Sequence, residues 1–407
     1  FWLKSQANAA QRPHHLLRAM SADGPEDTDP SAVLSLPRTT RLLQDFVDEG
    51  VHYGAQLSVC FGDRHADLCV GEALPGVPMA PSHVLCWSSS VKPLVAVALA
   101  QLEERGLLSL EDPVAKHLPA FAQRGKAGVT IAHCLTHTAG LWDTMRKSAG
   151  TPAQNVKQIC GQPLADDWVP GQRCGYDSPA WYVLAGIVSA VDPARRSYEQ
   201  YCEEELFRPL GLHSCSIGMS APHYAELRSS GRHAMIYMAP RGGPRNWKPI
   251  PGEDSEEKIA YPCPAGNGYG PARELAAVYR SLLPGAEASL LSAAAVERLT
   301  RPRREGLVDE LQGADTAWSL GFAVRSVLSG RHASARAYGH GGSQSSWAFA
   351  DPEHRLAAAC LCNGKPGPGL HYKRVGAVST ALYEDLGLAS PETASRTFKL
   401  PSGMGTF

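Results

Sequence analysis

Alternation of apolar and polar residues, the mark of half-buried strands, is strongest in two stretches at opposite ends of this chain. In 54–73, GAQLSVCFGDRHADLCVGEA, it runs on both sides of Gly62-Asp63, a hairpin signature of two strands. Beyond residue 317 it returns in WSLGFAVRSV and in SSWAFADPEHRLAAACLCNG, the latter two strands around an Asp-Pro-Glu-His turn. From about 107 to 270 the texture is different, with helix-like pieces such as SPAWYVLAGIVSAV and SYEQYCEEELFRPLGL among loops rich in Pro and Gly. RLLQDFVDEG (41–50) reads as an amphipathic helix closed by glycine. RELAAVYRSLLPG, SAAAVERLTRP and a last segment HYKRVGAVSTALYEDLGL also read as helices. Strands that pair across such a gap make an α+β protein: an antiparallel sheet built from both chain ends and flanked by helices. The expected division is a sheet domain from 41–106 and 271–390 and a mostly helical domain from 107–270. Residues 1–40 are expected to be a disordered or basic tail and linker, and 391–407 a C-terminal tail.

The composition narrows the function classes. Of 407 residues, 43% are hydrophobic and 19% charged, which suits a large globular core. Thirty-nine basic against 40 acidic residues leave a formal charge of -1, which argues against nucleic acid or an anionic membrane surface as the main partner. No apolar run approaches the roughly 20 residues that span a bilayer. The 11 cysteines form no C-x-x-C pair and suit small buried residues in a reducing cytoplasmic or organellar compartment. FWLKSQANAAQRPHHLLRAM, without an acidic residue, reads as a plain tail or the remnant of a transit-like segment. His133 and His137 lie four apart, but no H-E-x-x-H glutamate accompanies them, so no metal is expected. No Gly-rich phosphate loop is present, and no cofactor is expected.

CWSSSVKPLVAVALAQLEERG (86–106) poses the sharper question. Val91, Leu94, Val95, Val97, Ala98 and Leu102 recur at helical spacing, and Gly106 stands where a left-handed C-cap is wanted. Serine is a favoured N-cap and proline is tolerated only in the first turn, so Lys92 and Pro93 belong near the helix start. Ser88 and Ser89 both share a face with Lys92, whereas Ser90 does not. An amine drawn out of water becomes a better proton acceptor, so the pair reads as a nucleophile with its base. On spacing alone a helix cap is the better reading.

Three further stretches bear on that choice: TIAHCLTHTAGLWD, PGQRCGYDSPAWYVLAGIV and YGHGGSQSSWAFADP. With Ser89-Ser90-Val91-Lys92, GLLSLEDPVAKHLP, LTHTAGL, Tyr176-Asp177-Ser178, LFRPLGL, AGNGYGPARELA and His340-Gly341-Gly342 in this order, residues 40–388 resemble the serine beta-lactamase and penicillin-binding-protein superfamily. The similarity is greatest to class C beta-lactamases and their esterase, D-aminopeptidase and acyltransferase relatives. The resemblance implies a beta-lactamase/transpeptidase-like fold and Ser89 as nucleophile, with Ser88 left as the cap. Lys92 then takes or relays the serine proton, and Tyr176 serves as general base and later as acid. It also implies an oxyanion hole from the backbone N–H groups of Ser89 and Ser343, with Gly341 and Gly342 letting substrate approach the strand. Two positions depart from the lactamase pattern. His340 replaces a lysine, which weakens attraction for a substrate carboxylate, and Ser178 replaces an asparagine. Both point away from beta-lactams toward a small-molecule ester or amide. The implied activity is a serine hydrolase; an acyltransferase using the same acyl-enzyme and a catalytically silent scaffold are the alternatives.

Overall fold

A computed structural model describes residues 34–145, 150–239, 246–398 and 400. Its central element is a seven-stranded antiparallel sheet that joins the two ends of the chain. The strands are β1 (Gly54–Phe61), β2 (Arg64–Leu74), β3 (Val77–Pro78), β4 (Ala323–Val324), β5 (Tyr338–Gly342), β6 (Ser346–Asp351) and β7 (Leu356–Cys362), in the order β3-β2-β1-β7-β6-β5-β4. Phe61 pairs with Arg64 across the Gly62-Asp63 turn, where Gly62 takes a φ of 59°. On its other edge β1 pairs with β7, from Ala55 opposite Cys362 to Phe61 opposite Leu356. This is the junction between chain ends that the split alternation requires.

Period two sorts β7 between two cores. Ala358, Cys360 and Cys362, with Leu57 and Val59 of β1, face helix α1 (Pro37–Asp48) and helix α5 (Pro368–Asp385) through Leu43, Val375, Val378 and Leu382. Ala357, Ala359 and Leu361 face helix α4 (Ala272–Arg280) through Leu275, Ala276 and Tyr279. The N-terminus of α1 has no cap from its own sequence. Instead Asp385, at the end of α5, accepts the N–H groups of Arg38 and Thr39 and the Thr39 hydroxyl. A carboxylate at a helix N-terminus satisfies orphan donors and opposes the macrodipole, so the two terminal helices lock each other in place.

Helix α2 (Lys92–Glu104) is buried continuously from Lys92 to Leu102, as a helix with apolar residues all round should be. It packs against helix α3 (Pro179–Val191) and the turn Cys202–Phe207. The middle of the chain is more than helical. Leu85–Cys86, Gly268–Gly270 and Ser216–Ile217 form one small sheet, and Tyr237–Met238, Lys248–Pro249 and Gly364–Lys365 another.

The strand expected in WSLGFAVRSV shrinks to the two residues of β4. Gly321 (φ 95°) and Arg325 (φ 50°) break the extended backbone on either side, and a 3-10 turn follows at Val327–Ser329. Most of the expected N-terminal tail lies outside the described residues. Beyond 390 the chain begins with a short helix, Pro391–Ala394, and Leu400 is buried. Among the described residues no helix is long and apolar enough to cross a membrane.

Candidate active site

Ser88–Val91 form a 3-10 turn that runs directly into α2. Side chains three apart eclipse in a 3-10 turn, which brings Ser89 and Lys92 together. Lys92 Nζ donates to Ser89 Oγ at 3.0 Å and to the Ala265 carbonyl at 2.8 Å. The Lys92 side chain is fully buried, while Ser89 stands at the wall of a cavity of about 370 Å³.

Ser88 is not the cap the sequence suggests. Its φ is 47°, neither the 3-10 turn nor α2 has a side-chain N-cap, and Ser88 Oγ lies 3.1 Å from Ser345 Oγ. Ser90 Oγ reaches the His340 carbonyl at 3.2 Å and Ser346 Oγ at 2.9 Å, and Ser346 in turn donates to the Trp87 carbonyl at 2.5 Å. The residues on both sides of Ser89 are thus stitched to the β5–β6 hairpin. Gly342 is required by this stitching. A Cβ there would lie 2.3 Å from Ser346 Oγ and 2.5 Å from the Trp87 carbonyl, so the close approach is made by the protein's own backbone rather than by substrate. At Gly341 the nearest atom would be Leu328 Cδ2 at 3.1 Å, a looser fit.

Tyr176 lines the same cavity as Ser89, and Lys92 Nζ lies 5.1 Å from the centre of its ring. The ring is held by other rings: His137 at 4.5 Å and 34°, Trp318 at 6.2 Å, His340 at 6.2 Å. Among the described residues its phenol oxygen has no hydrogen-bond partner, so it is not tied away from the cavity.

His340 and Gly341 end β5, and Ser343 stands in the turn that follows; all three line the cavity. His340 Nδ1 is 2.7 Å from the Gly341 carbonyl, and its buried Nε2 has no partner among the described residues. Burial, followed by the nearby Lys92, holds the imidazole well below its usual range. His371 on the far wall is lowered by burial and by Arg374. Among the described lining residues there is no Asp, Glu, Lys or Arg; the amine of Lys92 lies buried behind Ser89. Ser178 is the N-cap residue of α3 and does not line the cavity. His133 and His137 share no helix face, because the short helix Ile131–Leu135 ends between them. His133 serves in its capping box and His137 stacks on Tyr176. Sequence reasoning missed Trp318, His371 and Tyr372 on the wall and Ser345 and Ser346 beneath it. Only the run of serines after His340-Gly341-Gly342 hinted at the last two.

A model of the Beta-lactamase family matches residues 39–381, most of the chain. The chain belongs to the Beta-lactamase family. As a member it is a serine hydrolase in the broad sense, of the kind that works through an acyl-enzyme. It is 29% identical over 304 residues to the esterase/beta-lactamase LipL of Mycobacterium tuberculosis, an alignment that covers 68% of each protein. It is 37% identical over 125 residues to the penicillin-binding protein PbpX of Bacillus subtilis, of which it spans only 30%. The fold is that of a penicillin-binding-protein homologue from Caulobacter crescentus, with a TM-score of 0.74 at 24% identity over 86% of this chain and 97% of that one.

Proposed function

We propose that this member of the Beta-lactamase family hydrolyses small uncharged esters or amides through an acyl-enzyme on Ser89. The observation that carries the reading is the 3.0 Å contact between Ser89 Oγ and the buried Lys92 Nζ at the cavity wall. Ser89 Oγ attacks the acyl carbonyl while its proton passes to Lys92. Tyr176, whose ring lies against Lys92 and whose hydroxyl has no hydrogen-bond partner among the described residues, delivers a proton to the departing alcohol or amine as its bond to the acyl carbon breaks, and the proton held by Lys92 restores the phenol. Water then enters by the reverse route, its proton passing to the same groups, and releases the acid and Ser89. The N–H groups of Ser89 and Ser343 hold the oxyanion, each donor being worth about 3 kcal/mol in the transition state.

The LipL name couples esterase and beta-lactamase, and a described lining without Asp, Glu, Lys or Arg favours the former. A carboxylate moved into such a cavity loses its hydration with no cation on the wall to replace it. A neutral nitrophenyl butyrate is therefore expected to exceed the corresponding nitrophenyl succinate hemiester in kcat/KM by at least about tenfold, or ~1.4 kcal/mol. Ser89→Ala is expected to reduce both to background. Hydrolysis that survives Ser89→Ala, or a preference for the hemiester, overturns the reading.

A further inference from the structure

We propose that His137 and the un-ionised carboxyl of Asp177 form a buried clasp that fixes the ring of Tyr176 against Lys92, which makes both of them positioning residues for acylation. The proposal rests on the role given to Tyr176 above. Tyr176 lies in the loop that precedes α3, and a loop residue keeps one orientation only if something outside the loop holds it. Both neighbours of Tyr176 bond to His137. The Gly175 N–H donates to the His137 carbonyl at 3.0 Å, and the Asp177 N–H donates to His137 Nδ1 at 3.1 Å. The His137 ring, whose residue takes a φ of 57°, lies on the ring of Tyr176 from behind and meets Trp318 edge-on at 4.9 Å.

Proton bookkeeping makes the carboxyl the interesting member. Because Nδ1 accepts from a backbone N–H, the imidazole proton belongs on Nε2. Asp177 Oδ1 then sits 3.3 Å from an atom that offers only a lone pair. An ionised carboxylate would set two electron-rich atoms against each other, whereas the acid offers its proton to the one Nδ1 lone pair, which it shares with the Asp177 N–H. The N–H groups of Ala180, at the start of α3, and of Leu141, in the loop after His137, face the same carboxyl. Burial pushes it up to about 7, against Lys92 and those two N–H groups, which favour the anion. The other ionisable groups facing the pair are Cys134 from the helix below, Arg304 and Asp309 from the segment after residue 300, and His340 from β5. Burial first, and then Arg304 and Lys92, keep His137 itself well below its usual range, so it stays neutral.

Asp177→Asn supplies an N–H donor to Nδ1 at every pH and keeps a carbonyl for the backbone donors. The rate of Ser89 labelling by a fluorophosphonate, taken as the ratio of this variant to wild type, cancels titrations common to both proteins. That ratio is expected to rise at least about fivefold from pH 6 to pH 8, as wild type loses the proton and the amide does not. A ratio flat with pH overturns the proposal. Asp177→Ala, with no donor, is expected to label at least about tenfold more slowly than wild type at pH 6, and equal labelling overturns it too.

Thermal unfolding gives a readout independent of catalysis. The folded carboxyl holds its proton above the unfolded value of about 4, so the stability that the acid contributes is complete below pH 4 and lost as pH rises through 7. The Tm of wild type minus that of Asp177→Asn is expected to fall by several degrees across that interval; a constant difference contradicts the clasp. If no protein labels, wild type included, the assignment of Ser89 fails, and the Tm series still decides the clasp.

Discussion

Lys92→Met is expected to slow acylation of Ser89 by on the order of 10⁴-fold while the protein stays folded. The amine makes two contacts, to Ser89 Oγ and to the Ala265 carbonyl, and lies near the faces of Tyr176 (5.1 Å) and Trp181 (5.9 Å). Methionine has nearly the same length and no polar atom to strand in a fully buried site. The structural loss is confined to the Ala265 carbonyl, worth about 1–3 kcal/mol, and is offset by no longer burying an amine. A shift in Tm of at most a few degrees is expected. The chemical loss is larger, since no other described side chain makes a hydrogen bond to Ser89 Oγ. Lys92→Arg is expected to fail as badly, because guanidinium does not give up its proton near neutrality. Stopped-flow labelling of the variants measures this, and a loss under tenfold in Lys92→Met removes the amine from the mechanism.

Tyr176→Phe is expected to cost 10²- to 10⁴-fold in kcat/KM, carried by kcat rather than KM, with Tm unchanged within about a degree. The ring is held by His137, Trp318 and His340, contacts that phenylalanine keeps. The hydroxyl has no partner among the described residues, so removing it breaks no hydrogen bond among them. A tyrosine that only filled space would lose nothing in either measurement. Steady-state kinetics on a neutral nitrophenyl ester separates the two outcomes.

What could be read from the sequence follows the range of the interactions involved. The hairpin at Gly62-Asp63, the core helix after Lys92 and the shared face of Cys360 and Cys362 are local consequences of period and turn chemistry, and the fold has them. So is the meeting of Ser89 and Lys92, which one helical turn dictates. The antiparallel sheet was legible because alternation at both chain ends leaves strands that need partners. Ser88 was misread because its hydroxyl goes to Ser345, more than 250 positions away, and no local rule anticipates that contact. β4 was overestimated because apolar alternation in WSLGFAVRSV says nothing of the positive φ at Arg325. The stack of His137, Tyr176 and Trp318 draws on three separate segments. His137 and Trp318 taken singly read as ordinary core, and only the resemblance marks Tyr176.

The most direct test of the account is to locate the acyl group itself. Wild-type protein is treated with a fluorophosphonate or a slowly deacylating nitrophenyl ester, digested, and the peptide spanning Trp87 to Arg105 is sequenced by mass spectrometry. One adduct per chain, on Ser89 and absent from Ser89→Ala, is the expected result. Modification of Ser88 or Ser90 instead, or an unmodified native protein under conditions that label other serine hydrolases, contradicts it.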